Sequence, residues 1–296
     1  MRITDGGLET SLIFLQGRDL PLFAAFPLVE ESAGKAALEE YWVPYLEIAD
    51  QHGLSFVVDT ATWRANPDWA GQLGYDARAL HRANQTAGRF ARHLAGHVGA
   101  ATVNGVVGPR GDGYVAGVEM SMEEAEGYHR PQLQALVDGG VDQVTAVTMT
   151  YPAEAIGLVR AAATLAVPAV VSFTVETDGR LPNGDALADA VAEVDHETGD
   201  APVGYMVNCA HPTHFEDALV PGAWLNRITG IRANASTMSH AELDAAEELD
   251  DGDPDDLAVR YARLAERLPA LDVLGGCCGT DHRHVAAVAR SCVTPQ

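Results

Sequence analysis

Lysine is almost missing: Lys35 is the only one in 296 residues. With 19 basic residues against 42 acidic ones the formal net charge is −23, which excludes the positive surface that nucleic acid or an anionic membrane requires. Apolar runs of the roughly 18 residues needed to span a bilayer are also missing. The amino terminus enters Arg2-Ile3-Thr4-Asp5 with no basic segment leading into an apolar stretch, so no secretory signal is expected. Cysteine is scarce. Four in a chain of this length build no disulfide framework, and they favour a cytoplasmic protein in which thiols serve a metal or catalysis. The acidic run from Glu247 to Asp256 lacks the spacing of a calcium loop and reads as a solvated face leading into a helix, where the dipole favours negative charge.

The few cysteines are placed with purpose. Cys277 and Cys278 sit between glycines in Leu274-Gly275-Gly276-Cys277-Cys278-Gly279-Thr280, at the end of an apolar run, and Cys209 closes another, Val203 to Asn208. Glycines on both sides let the backbone twist until two adjacent thiols converge. Three thiolates with one open position describe a Zn²⁺ site that leaves room for a substrate ligand. Taken alone, the vicinal pair reads equally well as two small buried residues. Cys292, near the end of a final helix, is a bystander. His211 stands at chelating spacing from Cys209 but precedes Pro212, where a cap is expected. His240, His282 and His284 read as surface or capping residues, and Asp281 as a helix-start carboxylate.

Short apolar runs alternate with longer amphipathic segments from one end to the other. This is the pattern of βα units on a parallel sheet. Strands are expected at Arg2–Thr4, Leu54–Thr60, Thr102–Val107, Gln143–Thr150, Ala169–Val175, Val203–Cys209, Ile228–Ala233 and Val273–Cys277. Helices are expected at Lys35–His52, Ala77–His97, Met122–Asp138, Ala153–Leu165, Asp185–Glu197, Asp255–Leu268 and His282–Arg290, with a short one after Pro212. Ser121 with Glu124 makes a capping box, and Pro254 marks a helix start. Eight such pairs predict a single-domain (β/α)8 TIM barrel over residues 1–296.

In that fold chemistry belongs at the carboxyl ends of the strands. Those ends carry Asp5-Gly6-Gly7, Asp59 to Trp63, Gly108-Pro109, Thr148 to Thr150, Glu176, Asn208-Cys209, Asn234 and Cys277-Cys278. A thiol entering a zinc–thiolate centre loses its proton. An electron-rich sulfur shell holds a reactive sulfur better than it polarises a carbonyl. The reaction implied is attack by sulfur on an electrophilic carbon.

The chain resembles the homocysteine S-methyltransferase family. The matching segments are Asp5-Gly6-Gly7-Leu8-Glu9-Thr10, Gly108-Pro109-Arg110-Gly111, His129-Arg130-Pro131-Gln132-Leu133, Asn208-Cys209 and Gly275-Gly276-Cys277-Cys278-Gly279-Thr280. The resemblance implies methyl transfer to the thiol of homocysteine, giving methionine, with Zn²⁺ on Cys209, Cys277 and Cys278. It also implies that the Asp5-Gly6-Gly7 turn meets the amino-acid end of homocysteine. Relatives carry a Glu at the end of strand four for the substrate ammonium; here that stretch reads Val147-Thr148-Met149-Thr150, leaving Thr148 at the site and suggesting that Glu176 takes over the contact. Asn208 is expected to orient the cysteine loop. Trp63, with Tyr114 and Tyr151, reads either as a loop aromatic or as a face for a cationic sulfonium or methylammonium donor. Arg64 fits a carboxylate-bearing donor or a surface ion pair. Partners are then small molecules, and a homo-oligomer is compatible with everything above. The rival readings are a zinc hydrolase on the same barrel, disfavoured because no carboxylate is seen to adjoin the cysteines, and a non-catalytic thiol- or metal-binding barrel.

Overall fold

In the computed structural model, which describes residues 1–292, the apolar runs become eight parallel strands. They are β1 (Arg2–Ile3), β2 (Ser55–Asp59), β3 (Ala101–Val107), β4 (Gln143–Met149), β5 (Ala169–Phe173), β6 (Gly204–Asn208), β7 (Ile228–Ala233) and β8 (Val273–Gly276). Each pairs with the next, and β8 pairs with β1 through Arg2 opposite Val273 and Ile3 opposite Leu274, closing the barrel. β4, β5 and β6 are almost wholly buried because helices cover their outer faces, which is why they read as unbroken apolar runs instead of alternating ones.

The expected elements stand within a few residues of their predicted bounds. The helix Met122–Asp138 begins on the Ser121–Glu124 capping box, and Pro254 opens Pro254–Arg267. The main core lies between sheet and helices, with Trp42, Tyr45, Phe56, Phe173, Tyr205 and Tyr261 among its largest side chains. Inside the barrel a small apolar layer of Val57, Val170, Met206 and Val273 forms its own cluster. No helix among the described residues is long and apolar enough to cross a membrane.

Several expected strands stop one or two residues early, at Ile3, Asp59, Met149, Phe173, Asn208 and Gly276. The residues that drop out of the ladder are the ones that turn over the barrel mouth. Short helices that periodicity missed at this end include Leu8–Thr10, Pro67–Gln72 and His240–Asp244.

Candidate metal and substrate site

Cys209 leaves the tip of β6 and Cys277-Cys278 the tip of β8, with β7 between them. Their Sγ atoms all lie within 4.8 Å of one another, and they are the one such ligand cluster among the described residues. Cys209 and Cys277 are joined as a disulfide with Cα atoms 5.3 Å apart, and the Cys278 Sγ lies 4.0 Å from that of Cys209. Sulfurs about 2.3 Å from one tetrahedral ion stand about 3.8 Å from each other. The three are therefore close enough to share a metal once the disulfide is reduced; a sulfur bonded to sulfur is not a thiolate ligand. Burial pushes the Cys278 thiol up to about 11, so in the absence of a nearby cation it stays protonated at neutral pH.

The backbone is bent to bring the sulfurs together. Cys209 has φ 53° and Thr148, across the mouth at the end of β4, φ 63°. Both are left-handed conformations that cost a non-glycine residue about 1–3 kcal/mol, most of all a β-branched one. Their surroundings hold them there. The Cys209 N–H donates to the Arg232 carbonyl at 3.1 Å, and its own carbonyl accepts from Asn234 Nδ2 at 3.0 Å and from His240 Nε2. The Thr148 N–H donates to Asn208 Oδ1 at 3.0 Å, Asn208 Nδ2 donates to Thr148 Oγ1 at 2.9 Å, and the Ser172 hydroxyl completes the set. Asn208, fully buried, thus ties β4 and β5 to the residue before Cys209. Asn208→Ala would strand the Thr148 N–H without an acceptor. Its expected cost is about 2–3 kcal/mol in denaturant unfolding, and a loss below about 0.5 kcal/mol would remove this bracing role.

Beside the sulfurs is a cavity whose wall includes Asp5, Gly6, Gly7, Glu9, Trp63, Tyr114, Thr148 and Asn208. Arg232 lies under it and bridges two carboxylates, Asp5 and Asp59. The two acids hold the guanidinium well above its usual range, while burial raises the Asp5 carboxyl to about 6 against the pull of Arg232. Tyr41 donates to Asp5 at 3.1 Å and Asn104 Nδ2 to Asp59 at 2.7 Å.

The Asp5-Gly6-Gly7 turn lies in the wall of this cavity. The Gly7 N–H donates to the Thr280 carbonyl at 3.0 Å. That bond seals the loop after β1 to the β8 loop. A Cβ on Gly7 would lie 2.6 Å from the Cys277 carbonyl, so a glycine is needed for this close approach. Gly108 plays the same part for Trp63: a Cβ there would lie 2.6 Å from the Trp63 ring. Gln132, from the His129–Leu133 segment, donates to the Thr62 carbonyl at 3.0 Å and steadies the residue before Trp63. His129, buried, meets Glu154 at 2.9 Å.

Glu176 requires the plainest correction. It is absent from the cavity wall; the turn from Glu176 to Gly179 directs its carboxylate to His240 Nδ1 at 3.3 Å. Among the acids that line the cavity with Asp5 and Asp59 is Glu9, which burial pushes up to about 7. A carboxylate thus does share the cavity with the cysteines. Glu9 stood within a recognised segment, and its place just beyond the end of β1 was the signal that it faces the mouth. His240, expected at the surface, is buried against the Cys209 carbonyl and stacks on Tyr114 with ring centres 4.3 Å apart. The Tyr114 hydroxyl lies 3.4 Å from the Cys278 sulfur, whereas Tyr151 turns away to accept from the Met120 N–H. His211 caps the helix Pro212–Phe215, and Cys292 stands apart from the other cysteines.

Further out, a second pocket shares Thr10, Phe23, Trp63, Tyr114 and Cys278 with the first. It adds Phe14, Arg64 and the carboxylates Asp112, Asp244, Glu248 and Asp250. Part of the acidic run is therefore rim of a pocket and not only a solvated face. Arg64 has no ion pair among the described residues; its guanidinium stacks 3.6 Å from the Trp69 ring and 4.5 Å from that of Trp63.

A sequence profile described as homocysteine S-methyltransferase matches residues 2–292. Among curated protein sequences none matches. Three crystal structures of the homocysteine methyltransferase MmuM from Escherichia coli share the fold. The oxidised form is 23% identical with a TM-score of 0.77, covering 98% of this chain and 95% of that one. The metallated form, also 23% identical, has a TM-score of 0.74 over 98% and 96%. The apo form, 22% identical, has 0.69 over 98% and 95%.

Proposed function

The chain belongs to the homocysteine S-methyltransferase family, and on that premise we propose that it moves a methyl group from a small sulfonium or methylammonium donor to the thiol of homocysteine, using zinc. The observation that carries the reading is the meeting of Cys209, Cys277 and Cys278 within 4.8 Å of one another beside a cavity. These three would hold the ion, and an all-sulfur set suits a soft or borderline metal. When bound, zinc would supply the charge that keeps an entering thiol deprotonated at neutral pH.

The rest is the work of the protein. The inner cavity fits the acceptor, with Thr148 and Asn208 in its wall and the Asp5-Gly6-Gly7 turn closing one side. The outer pocket offers Trp63, Tyr114, Phe14 and Phe23 with four carboxylates, surroundings that favour a diffuse cation. Arg64, unpaired at its edge, would meet the carboxylate that S-methylmethionine, S-adenosylmethionine and betaine all carry. Because the two pockets join beside Cys278, donor methyl and acceptor sulfur can be aligned, and alignment contributes much of such a rate. The bond from methyl to donor breaks as the S–CH₃ bond forms, the donor leaves neutral at its former cationic centre, and the thiol proton goes to solvent. This reading places the work in a reducing, cytoplasmic setting, since the oxidised pair cannot serve.

The test is metal analysis of the reduced protein, joined to a donor panel of S-methylmethionine, S-adenosylmethionine, betaine and methylfolate against homocysteine. One zinc per chain is expected, with methionine formed from at least one sulfonium or methylammonium donor and lost on chelation. Absence of methionine with every donor, or turnover indifferent to a chelator, would overturn the reading.

A further inference from the structure

Four charged side chains line the inner cavity: Asp5, Glu9, Asp59 and Arg232. Three of them satisfy one another, with Arg232 bridging Asp5 and Asp59. Glu9 is left over. Its carboxylate has no ion pair or hydrogen bond to another side chain among the described residues, and feels Arg64 and Arg232 only at longer range. Glu9 therefore lines the cavity with a carboxylate that no other side chain holds, open to the cationic group of an entering ligand.

Resting on the reading above, we infer that Glu9 receives the α-ammonium group of the amino-acid thiol and so makes the enzyme selective for an amino acid over a simple thiol. The end of β4 offers no acid, since Thr148, Met149 and Thr150 stand there. Glu176 is turned to His240. Glu9 therefore supplies from the β1 side of the mouth a charge that the β4 side lacks. It is the acceptor and not the donor that it serves. Glu9 lines the cavity that holds all three cysteines and is missing from the outer pocket, which has its own carboxylates for a cationic donor.

The selectivity is tested by calorimetric titration of reduced, zinc-loaded protein with homocysteine and with 4-mercaptobutanoate, the same thiol acid without the amino group. The wild type should bind homocysteine about 50-fold more tightly, as a charge-assisted hydrogen bond in a closed site allows. Glu9→Gln, which keeps the side-chain shape, should bring homocysteine down to the level of the analogue, leave the analogue within about threefold, and leave the zinc content unchanged. Equal binding of homocysteine by wild type and Glu9→Gln would overturn the role of Glu9 while leaving the methyltransferase reading intact. So would an equal loss for both thiols, or a fall in zinc content. Failure of the wild type to bind either thiol would overturn both.

Discussion

Cys278→Ala is expected to lose its metal and to transfer methyl groups at least about 10³-fold more slowly than the wild type. Two factors multiply. A thiol of pKa about 8.5 is only a few per cent ionised at neutral pH, so losing the cation that ionises the substrate sulfur costs roughly 30-fold. A sulfur no longer fixed against the donor loses a further 10² or so, the usual penalty for a small misplacement of reacting groups. Cys278 is the informative choice because Cys209 and Cys277 are the pair already joined in a disulfide. Cys278→Ala leaves that pair free to form, so a folded, oxidisable but metal-free protein is the expected product. Elemental analysis and a methionine assay on the same sample decide it. Retention of one zinc per chain with more than a tenth of the activity would place the metal elsewhere.

The second large effect is one of stability. Arg232→Met should cost about 3–5 kcal/mol, because it leaves Asp5 and Asp59 buried with no cation between them. Asp5 has 2% of its side chain exposed, Asp59 6% and Arg232 13%, so water is in no position to take over. The loss should appear as a lower midpoint in urea unfolding at unchanged slope. Converting both acids to amides in the same chain, with Asp5→Asn and Asp59→Asn, should recover most of it, since the cost is that of stranded charge and not of lost volume. A loss below about 1 kcal/mol, or no recovery in the triple variant, would show that the bridge is incidental to folding.

Much of this molecule was legible in its sequence, for a physical reason. Strands covered on both faces must be apolar throughout, so Val144 to Val147 or Tyr205 to Val207 announced themselves as parallel-barrel strands. The helices between them kept their periodicity and caps. The meeting of the three cysteines was legible as well, because each stands where an apolar strand run ends. What escaped was direction. Nothing local says that the turn beginning at Glu176 veers aside to His240, or that His240 folds back from beyond β7 onto the Cys209 carbonyl. Glu9 was named only as part of a matching segment, without a role of its own. The same blindness applies to Arg232, whose guanidinium is engaged by two carboxylates distant in sequence. Pairings that span 173 and 227 positions leave no local trace.

The left-handed turns at Cys209 and Thr148 bear on anyone who would graft this centre onto another eight-stranded scaffold. Three thiols copied to the corresponding strand tips would point along ordinary extended chain and miss each other. The transplant would also need the asparagines and the histidine that keep the bend in place, and the glycine seam that lets the first loop nestle against the last. The portable unit is a ring of neighbouring tips, not a triplet of side chains.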